Sequence, residues 1–319
     1  MVRIKKSSGG VKDAVAVAKE PRVFANLTLD AGFKIVFGTE GASEGLLMRL
    51  LSRLLPEVEI KELQYLPTEH FVDSEEGGKA AFDVYCTDRS GTRFLVEMQM
   101  WTQHCFNKRA VYYASRSVLD QARMEKKYQR EKLNRKWDYH FSPVFVVCFL
   151  NFANDLVCST DAEEHMSHYV FRSLSSGRPL GDNVNLIFVD LYRFTKEYAD
   201  CIDLKEKWLY SLKNMHLLQE QPKDVEGTEL EELYQMAYMD PWSSEKKDKY
   251  RQHMTREDEI MNSMREQRED AYKEGREEGR EEGKEQAKKE DALKLKQLGV
   301  SVDVISQATG LPIDIINNL

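Results

Sequence analysis

Two short runs of sequence decide the fold, AAFDVYC at residues 80–86 and RFLVEMQM at residues 93–100. Both runs are rich in β-branched and aromatic residues, which favour strands. Between them, the segment from Asp88 to Gly91 (DRSG) has the composition of a tight turn. The pattern therefore predicts a β-hairpin.

The predicted hairpin carries two acidic side chains within otherwise apolar strands. Because alternate residues of a strand face the same way, Glu97 and Gln99 should share one face. Pairing across the turn should bring Asp83 beside Val96 and Glu97. Two carboxylates buried there would need a cation between them, and Mg²⁺ prefers such oxygen ligands. By spacing alone, however, the two acids could equally lie exposed on the surface.

The segments around the hairpin predict helices and further strands. Amphipathic spacing predicts helices at Glu44–Leu55, at about Phe106–Tyr128 and at Lys205–Leu212. Val144–Leu150 is a continuous apolar run, typical of a strand buried on both faces, and another strand is expected at Asn185–Leu191. The order of these elements predicts an α/β fold, with a mixed sheet flanked by helices.

The composition argues against several classes of protein. The chain has 319 residues, five cysteines without C-x-x-C spacing and a formal net charge of −8. The cysteine pattern argues against a disulfide framework or a zinc ribbon and favours a reducing cytoplasm. We expect no membrane span and no signal peptide, because no apolar run is long enough. A phosphate-binding loop of the G-x-x-x-x-G-K-[ST] type is absent, which argues against ATP use.

Positive charge is concentrated in one part of this acidic chain. Between His104 and Trp137, ten Lys or Arg residues face three acids, which gives a local charge of +7. A localised phosphate-binding surface requires such a segment. A solvated helix face would carry the same charges, so the pattern alone leaves both interpretations open.

The composition also predicts four segments along the chain. Residues 1–26 are basic and low in bulky apolar residues, and we expect a mobile tail there. Residues 27–215 should form the α/β domain, and residues 216–255 a helical connector. Residues 256–319 should form a charged helical C-terminal extension, which ends in a short helix-turn-helix-like tail.

The charged extension contains a glycine at every fourth position, at Gly275, Gly279 and Gly283. This spacing places the glycines near one face of a helix, where a second helix could approach closely. Each glycine costs a helix ~1 kcal/mol relative to alanine, and each i,i+3 ion pair returns only ~0.2–0.5 kcal/mol. Such a helix needs a partner, for example a second copy of the chain. A flexible charged linker is an equally good interpretation.

The last twenty residues predict two short helices. Ser301 suits the N-cap of the first, Gly310 its C′ position, and Pro312 the first turn of the second. A small apolar cluster is expected from Val304, Ile305, Leu311, Ile315, Ile316 and Leu319. Two short helices do not form a complete sequence-specific DNA-binding domain, so we favour a docking or dimerisation element.

Several motifs carry a resemblance to a known family. They are LDAGFKIVFG at residues 29–38, KAAFD at 79–83, VEMQ at 96–99 and FNKRAVYY at 106–113. Together they resemble the recombination-promoting nuclease (Rpn) family, a branch of the PD-(D/E)XK superfamily whose members are often described as transposases. The resemblance covers roughly residues 27–215. It extends more loosely to the charged extension that has a glycine at every fourth position.

The resemblance implies a restriction-endonuclease-like core with a metal site. Asp83 and Glu97 would be ligands of Mg²⁺ or Mn²⁺, and the backbone carbonyl of Met98 would complete the shell. Asp30 and Lys34 lie four residues apart and could share a helix face. The family match suggests that Asp30 binds a water of the metal, although a surface i,i+4 ion pair would explain the spacing equally well.

Gln99 stands where many relatives carry the lysine of the E-x-K motif. A glutamine provides neither a positive charge nor a proton acceptor for catalysis. Gln99 would therefore orient the attacking water, or a cation such as Lys79 or Lys34 would supply the missing charge.

A helix after the hairpin supplies the candidate DNA contacts. Arg109, Tyr112, Tyr113 and Arg116 follow an i, i+3, i+4, i+7 pattern. Arg109 could clamp a phosphate with Arg116 beside it, and Tyr112 could stack or hydrogen-bond nearby. The tyrosines could instead be helix-packing residues. Lys34 and Lys79 are the remaining candidate DNA contacts.

The sequence therefore predicts a metal-dependent DNA endonuclease that uses water as its nucleophile. Family analogy links it to recombination or mobile elements. We expect DNA and a second copy of the chain, bound through the C-terminal helix, as partners. The alternative is a catalytically decayed DNA-binding or scaffolding protein, for which Gln99 is the reason. A third possibility is a protein-interaction module that uses the charged tail.

Overall fold

The computed structural model describes residues 23–67, 82–101, 105–159, 161, 163–181 and 183–319. The chain divides into two compact units, Met1–Tyr250 and Arg251–Leu319. Lys79 and residues 1–22 of the expected basic tail lie outside the described residues.

A six-stranded mixed sheet forms the centre of the first unit, in the order β1-β2-β3-β4-β6-β5. Strands β3, β4 and β6 run parallel to one another, while β1, β2 and β5 each pair antiparallel with a neighbour. The strands are β1 (Gln64–Tyr65), β2 (Val84–Thr87), β3 (Arg93–Gln99), β4 (Val144–Leu150), β5 (Met166–Val170) and β6 (Val184–Asp190).

Helices pack against this sheet and complete the predicted α/β architecture. In the first unit they are α1 (Asp30–Phe37), α2 (Glu44–Leu54), α3 (Phe106–Lys132), α4 (Leu204–Asn214) and α5 (Glu231–Ala237). The helices and strands predicted around the hairpin are confirmed, with α3 extending four residues further than expected. Strands β1 and β5 were not predicted, whereas α5 lies within the expected helical connector.

The hairpin of β2 and β3 has the predicted turn. Val84 pairs with Val96, and Thr87 pairs with Arg93. The Asp88 carboxylate accepts hydrogen bonds from the backbone N–H groups of Ser90 (2.8 Å) and Thr92 (3.0 Å). These bonds fix the turn and therefore the register of the two strands. Strand β2 begins at Val84, so Asp83 lies immediately before the strand rather than within it.

Strand β4 lies between two parallel neighbours, and all seven of its residues are buried. Alternate side chains of β4 face opposite helices. Phe149 contacts Phe33 of α1, with ring centroids 5.9 Å apart. Cys148, on the other face, lies in the apolar core that includes Ala110 of α3. The continuous apolar run is explained because both faces of this strand are covered.

Helix α1 is positioned by the chain that precedes it. A Cβ at Gly32 would lie 1.9 Å from the carbonyl oxygen of Asn26, so only glycine permits this close approach. The backbone N–H of Asn26 donates to the Tyr250 hydroxyl at 2.7 Å. Phe24 and Ala25 are buried, so the packed structure begins before residue 27.

Part of the expected connector belongs to the packed interior of the first unit. Val225, Leu230 and Leu233 are fully buried. The Tyr234 ring contacts that of Phe24 edge-on, with centroids 5.6 Å apart. Helix α5, which lies within this expected helical connector, buries Leu233, Tyr234 and Ala237.

The second unit contains most of one long helix and two short ones. Helix α6 runs without interruption over Ser244–Gln297, so the charged segment is a helix rather than a flexible linker. The short helices are α7 (Val302–Thr309) and α8 (Ile313–Asn318), with Gly310 at φ 72° between them. The apolar cluster contains Ala292, Ile305, Leu311 and Ile316.

Three members of the predicted C-terminal cluster, Val304, Ile315 and Leu319, lie outside it. Val304 is 53% exposed and Leu319 is 38% exposed. The end of α6 supplies Ala292 and Leu295 in their place. Because α7 packs against α6, Val304 falls on the outer face of α7.

All five cysteines are free thiols, and four of them are buried. Across the ranges that the structure describes, every helix is too short or too polar to cross a lipid bilayer.

Candidate active site

Two buried carboxylates meet at one end of the sheet, where β2 begins and β3 ends. The pairing of Val84 with Val96 brings Asp83 alongside Glu97 and Met98. The backbone N–H of Met98 donates to Oδ2 of Asp83 at 2.6 Å. The side chains of Asp83 and Glu97 are only 4% and 9% exposed. The predicted juxtaposition is therefore present, and its acids are not exposed on the surface.

Each carboxylate receives a cation from a different helix. Lys34 of α1 places its Nζ 3.2 Å from Oδ1 of Asp83 and 2.5 Å from Oδ1 of Asp30. Arg109 of α3 places its Nη2 3.3 Å from Oε1 of Glu97. Because α1 and α3 cover opposite faces of the sheet, the two cations reach this end from opposite sides.

The Arg109 guanidinium is held by aromatic side chains as well as by Glu97. Its Nε and Nη2 donate to the Tyr113 hydroxyl at 3.3 and 3.1 Å. The guanidinium also lies over the rings of Phe106 and Tyr113, at 5.7 and 5.5 Å from the centroids. Planar contacts of this kind fix an arginine in one orientation.

The electrostatics of the site favour protons on the carboxyl groups. Burial raises the pKa of Asp83, and the neighbouring Asp30 and Glu97 carboxyls raise it further. Burial also raises the pKa of Glu97 to about 7, although Arg109 and Lys34 act in the opposite direction. Burial lowers the pKa of Lys34, but Asp83 and Asp30 outweigh it and raise that pKa overall. Two carboxylates so close together need more positive charge than these two side chains provide.

The donor set fits a hard divalent cation. Oε2 of Glu97 is buried and has no hydrogen-bond partner within the described part of the chain. The Gln99 carbonyl bonds to Asn151 on the β4 side, so the backbone groups of Met98 face the Asp83 side. Two carboxylates and a carbonyl, completed by water, suit Mg²⁺ or Mn²⁺. The ranges covered by the structure contain no group of three or more His, Cys, Asp or Glu side chains arranged for a metal.

Comparison with known proteins assigns the family. The sequence model described as PD-(D/E)XK nuclease family transposase matches residues 27–266. The chain belongs to this family. No curated protein and no solved structure matches it. The mixed sheet with its flanking helices is the restriction-endonuclease-like fold of PD-(D/E)XK proteins. The match also extends beyond residue 215, over the segment that includes α5.

In this PD-(D/E)XK protein, the amide of Gln99 is engaged by the backbone. Its side chain is buried on the same face as Glu97, and Nε2 donates to the Trp101 carbonyl at 3.3 Å. The cations beside the acidic pair come from helices, Lys34 from α1 and Arg109 from α3.

The remaining predicted residues are distributed along α3. Tyr112 is 44% exposed and lies beside Tyr113, with ring centroids 5.8 Å apart. Arg116 lies two turns along the helix from Arg109 and is partly exposed. The buried Tyr113, which contacts Arg109, was not among the predicted site residues. The i,i+4 spacing from Arg109 to Tyr113 is the signal that could have identified it.

Proposed function

We propose that the chain is a metal-dependent DNA endonuclease that hydrolyses phosphodiester bonds with an activated water molecule. Its biological setting would be recombination or a mobile element. One observation carries the proposal: Asp83 and Glu97 are buried side by side, and Glu97 keeps an oxygen without a hydrogen-bond partner among the described residues. A buried acceptor of this kind is costly unless a ligand uses it.

The residues have distinct roles in this proposal. Asp83, Glu97 and the Met98 carbonyl would hold Mg²⁺ or Mn²⁺, which supplies neutralisation of the scissile phosphate and activation of the water. Asp30, whose carboxyl lies close to that of Asp83, would orient a water at the edge of the site. The burial of Asp83 and Glu97 keeps bulk water from screening their charges.

Lys34 would supply the positive charge that Gln99 lacks. Its ammonium lies 3.2 Å from Asp83, and its raised pKa keeps it protonated at neutral pH. A protonated lysine there can bind the phosphate oxygen that gains charge as water attacks. Gln99 would support the strand end through its bond to Trp101. Lys79 stays a prediction.

Arg109 would change partners when DNA and metal bind. In the structure its guanidinium neutralises Glu97. With a bound metal ion to balance the charge of Glu97, the guanidinium would be available to a DNA phosphate. Tyr112 and Arg116, which lie outward on the same helix, would extend that contact along the DNA backbone.

Plasmid cleavage is the direct test. Supercoiled plasmid incubated with the full chain and Mg²⁺ or Mn²⁺ should be nicked or linearised. The Asp83→Ala and Glu97→Ala variants, and wild-type protein in EDTA, should leave it intact. Calorimetric titration with Mg²⁺ alone gives a second readout, and both variants should lose the binding heat.

Asp190→Asn provides a matched control. Asp190 is also a buried carboxylate at the same end of the sheet, and it pairs with Arg193 at 3.1 Å. If nicking depends on the proposed site, this variant should cleave like the wild type once folding is verified by circular dichroism. An equal loss in Asp190→Asn would remove support for the assignment of Asp83 and Glu97.

A catalytically decayed DNA-binding or scaffolding protein is the second candidate. The observation that favours it is the Gln99 amide, which is engaged with Trp101 and offers no charge to the site. This candidate predicts intact plasmid with either metal, together with salt-dependent DNA binding through the basic helix α3.

We also propose that two copies associate through α6 and that the protein works in the cytoplasm. Open space around Gly275, Gly279 and Gly283 leaves room for a second helix. Replacing all three by alanine should increase helicity, because alanine favours helices, yet should abolish dimers if the glycines form the contact. Light scattering after gel filtration separates the two effects. A variant that gains helicity and keeps its dimer would contradict this interface.

A further inference from the structure

The C-terminal end of α3 carries a surface that the proposed active site does not use. This surface, called here the α3-end patch, contains Lys126, Lys127, Lys132, Arg135, Lys136, Trp137 and Tyr139. Its five cations are exposed, and within the described ranges none of them forms an ion pair. By contrast, Arg123 pairs with Asp120 at 3.7 Å, and Arg130 pairs with Glu131 at 3.3 Å.

The chain after α3 folds back and fixes the aromatic part of the patch. Nε2 of Gln129 donates to the Asp138 carboxylate at 3.3 Å, and that carboxylate accepts the backbone N–H of His140 at 3.2 Å. The indole N–H of Trp137 donates to the His140 carbonyl at 3.3 Å. The aromatic side chains are therefore tied to the end of the basic helix.

Trp137 and Tyr139 form an aromatic pair at the protein surface. Their ring centroids are 4.5 Å apart, with planes inclined by 35°. Tyr139 is 76% exposed and has a φ of 65°, a left-handed conformation that is unfavourable for a bulky residue. Its outer ring face is open to solvent, so the strained conformation presents an aromatic surface rather than burying one.

Helix stability does not account for this patch. Cations in the last turn interact favourably with the helix dipole, which explains Lys132. Arg135 and Lys136 lie beyond the end of α3, and the dipole effect falls off within the last turn. An aromatic pair at the surface also contributes little to folding. Unpaired cations next to an open aromatic face suit a polyanion with flat rings.

We propose that the α3-end patch binds single-stranded DNA, with the cations on its phosphates and an unpaired base stacked on Tyr139. That the polymer is DNA rests on the proposed endonuclease function. Arg109 and Lys126, the patch residue nearest to it on α3, are 17 residues apart, about 26 Å at ~1.5 Å per residue. The patch is therefore a binding site separate from the acidic pair. It would hold an unpaired strand while the duplex is cut elsewhere.

Fluorescence anisotropy of the full chain in EDTA tests the stacking contact without cleavage. The probe is labelled oligo(dT) of about 20 nucleotides, longer than the ~4–16 nucleotides that one single-strand-binding fold covers. Tyr139→Ala should weaken binding about 5- to 100-fold. Tyr139→Phe, which keeps the ring, should bind like the wild type. Tyr192→Ala is the matched control, because Tyr192 is 52% exposed and lies outside both the patch and α6.

The phosphate contacts are tested by salt dependence. The Lys126→Gln, Lys127→Gln double variant should lower the slope of log affinity against log salt by about 1.4, because each phosphate that the protein neutralises on a single strand adds ~0.7 to that slope. The control is the Lys205→Gln, Lys223→Gln double variant, which removes the same charge elsewhere in the first unit. Its slope should equal that of the wild type.

Three results would overturn the proposal. The first is wild-type affinity in both Tyr139→Ala and the double lysine variant. The second is a loss of affinity in Tyr139→Ala that is as large for blunt duplex DNA of the same length as for the single strand, since stacking requires unpaired bases. The third is patch-dependent binding to phosphatidylserine vesicles without patch-dependent DNA binding. Plasmid nicking is scored separately, so failure of the endonuclease assignment and failure of the patch are distinguishable.

Discussion

At its N-terminal end, α3 holds Arg109 between a tyrosine hydroxyl and a buried carboxylate, whereas at its C-terminal end five cations face the solvent. The two ends use similar residue types in different dielectric surroundings. A charge next to the buried Glu97 is tied to the fold, because removing it leaves an uncompensated carboxylate. A charge at the exposed end is free to meet a ligand. The difference shows why local charge alone does not locate a catalytic site.

The largest effect is expected from removing the charge of Glu97, the buried partner of Arg109. Glu97→Gln keeps the shape of the side chain but removes a proposed metal ligand. We expect plasmid cleavage to fall by more than about 100-fold, since even changes around ligands cost ~10–100-fold. Cleavage within a few fold of the wild-type rate would remove Glu97 from the metal site.

The same substitution should stabilise the protein when no metal is present. Burial holds the pKa of Glu97 at about 7, against an ordinary value of 4.5, so ionisation of Glu97 disfavours the folded state. Below pH 4.5, Glu97 carries its proton in both the folded and the unfolded state, and the protein keeps its full stability. As pH rises from 4.5 to about 7, the unfolded chain loses this proton first, so the free energy of unfolding falls. At pH 8 in EDTA, Glu97→Gln should gain on the order of 3 kcal/mol in urea unfolding.

The gain in Glu97→Gln should shrink as pH falls and should vanish near pH 4.5. An equal gain at every pH would mean that packing, rather than ionisation of Glu97, sets the difference.

Substitution of Arg109 should affect the free energy of unfolding more than substitution of the lysines in the α3-end patch. At pH 8, Arg109→Ala should cost about 2 kcal/mol, the usual contribution of a hydrogen bond to a charged group. Lys126→Ala with Lys127→Ala should change stability by less than about 0.5 kcal/mol, as is usual for surface substitutions. Equal losses in thermal unfolding would contradict the distinction between the two ends.

Metal binding at the acidic pair and DNA binding at the α3-end patch should differ in their dependence on pH. Metal binding needs ionised carboxyl groups, so affinity should rise with pH until Glu97 has lost its proton at about pH 7. At pH 6, Mg²⁺ affinity measured by calorimetry should be at least about tenfold below its plateau, because the Glu97 proton must be displaced. The raised pKa of Asp83 acts in the same direction. DNA binding through the α3-end patch should not follow this curve, since lysine and arginine stay charged throughout.

Much of the fold could be predicted because its strands differ strongly in pattern. The apolar run Val144–Leu150 predicted strand β4 with the bounds that the structure has. Strand β5 could not be predicted, because MSHYV lies at a sheet edge and has no continuous apolar face. Strand β1 is only two residues long, and no periodicity can be read from two residues.

The acidic pair could also be predicted from local pattern. Its two cations, Lys34 and Arg109, could be proposed only because their positions match the family motifs. Strand alternation and the turn were sufficient to bring Asp83 to Glu97, since both effects are local in sequence. The bond from Arg109 to Glu97 depends on how α3 crosses the sheet, which no local pattern specifies. Lys34 depends on the packing of α1, where the contact between Gly32 and Asn26 decides the position of the helix.

The turn held by Asp88 limits how this chain can change in length. Its carboxylate fixes the register that brings Asp83 beside Glu97. Inserting or deleting a single residue between these acids would shift the strands by one position, and each side chain beyond the change would face the other way. Homologous chains should therefore keep thirteen residues between their two acids, as in this sequence. Loops elsewhere on the surface are free to vary in length.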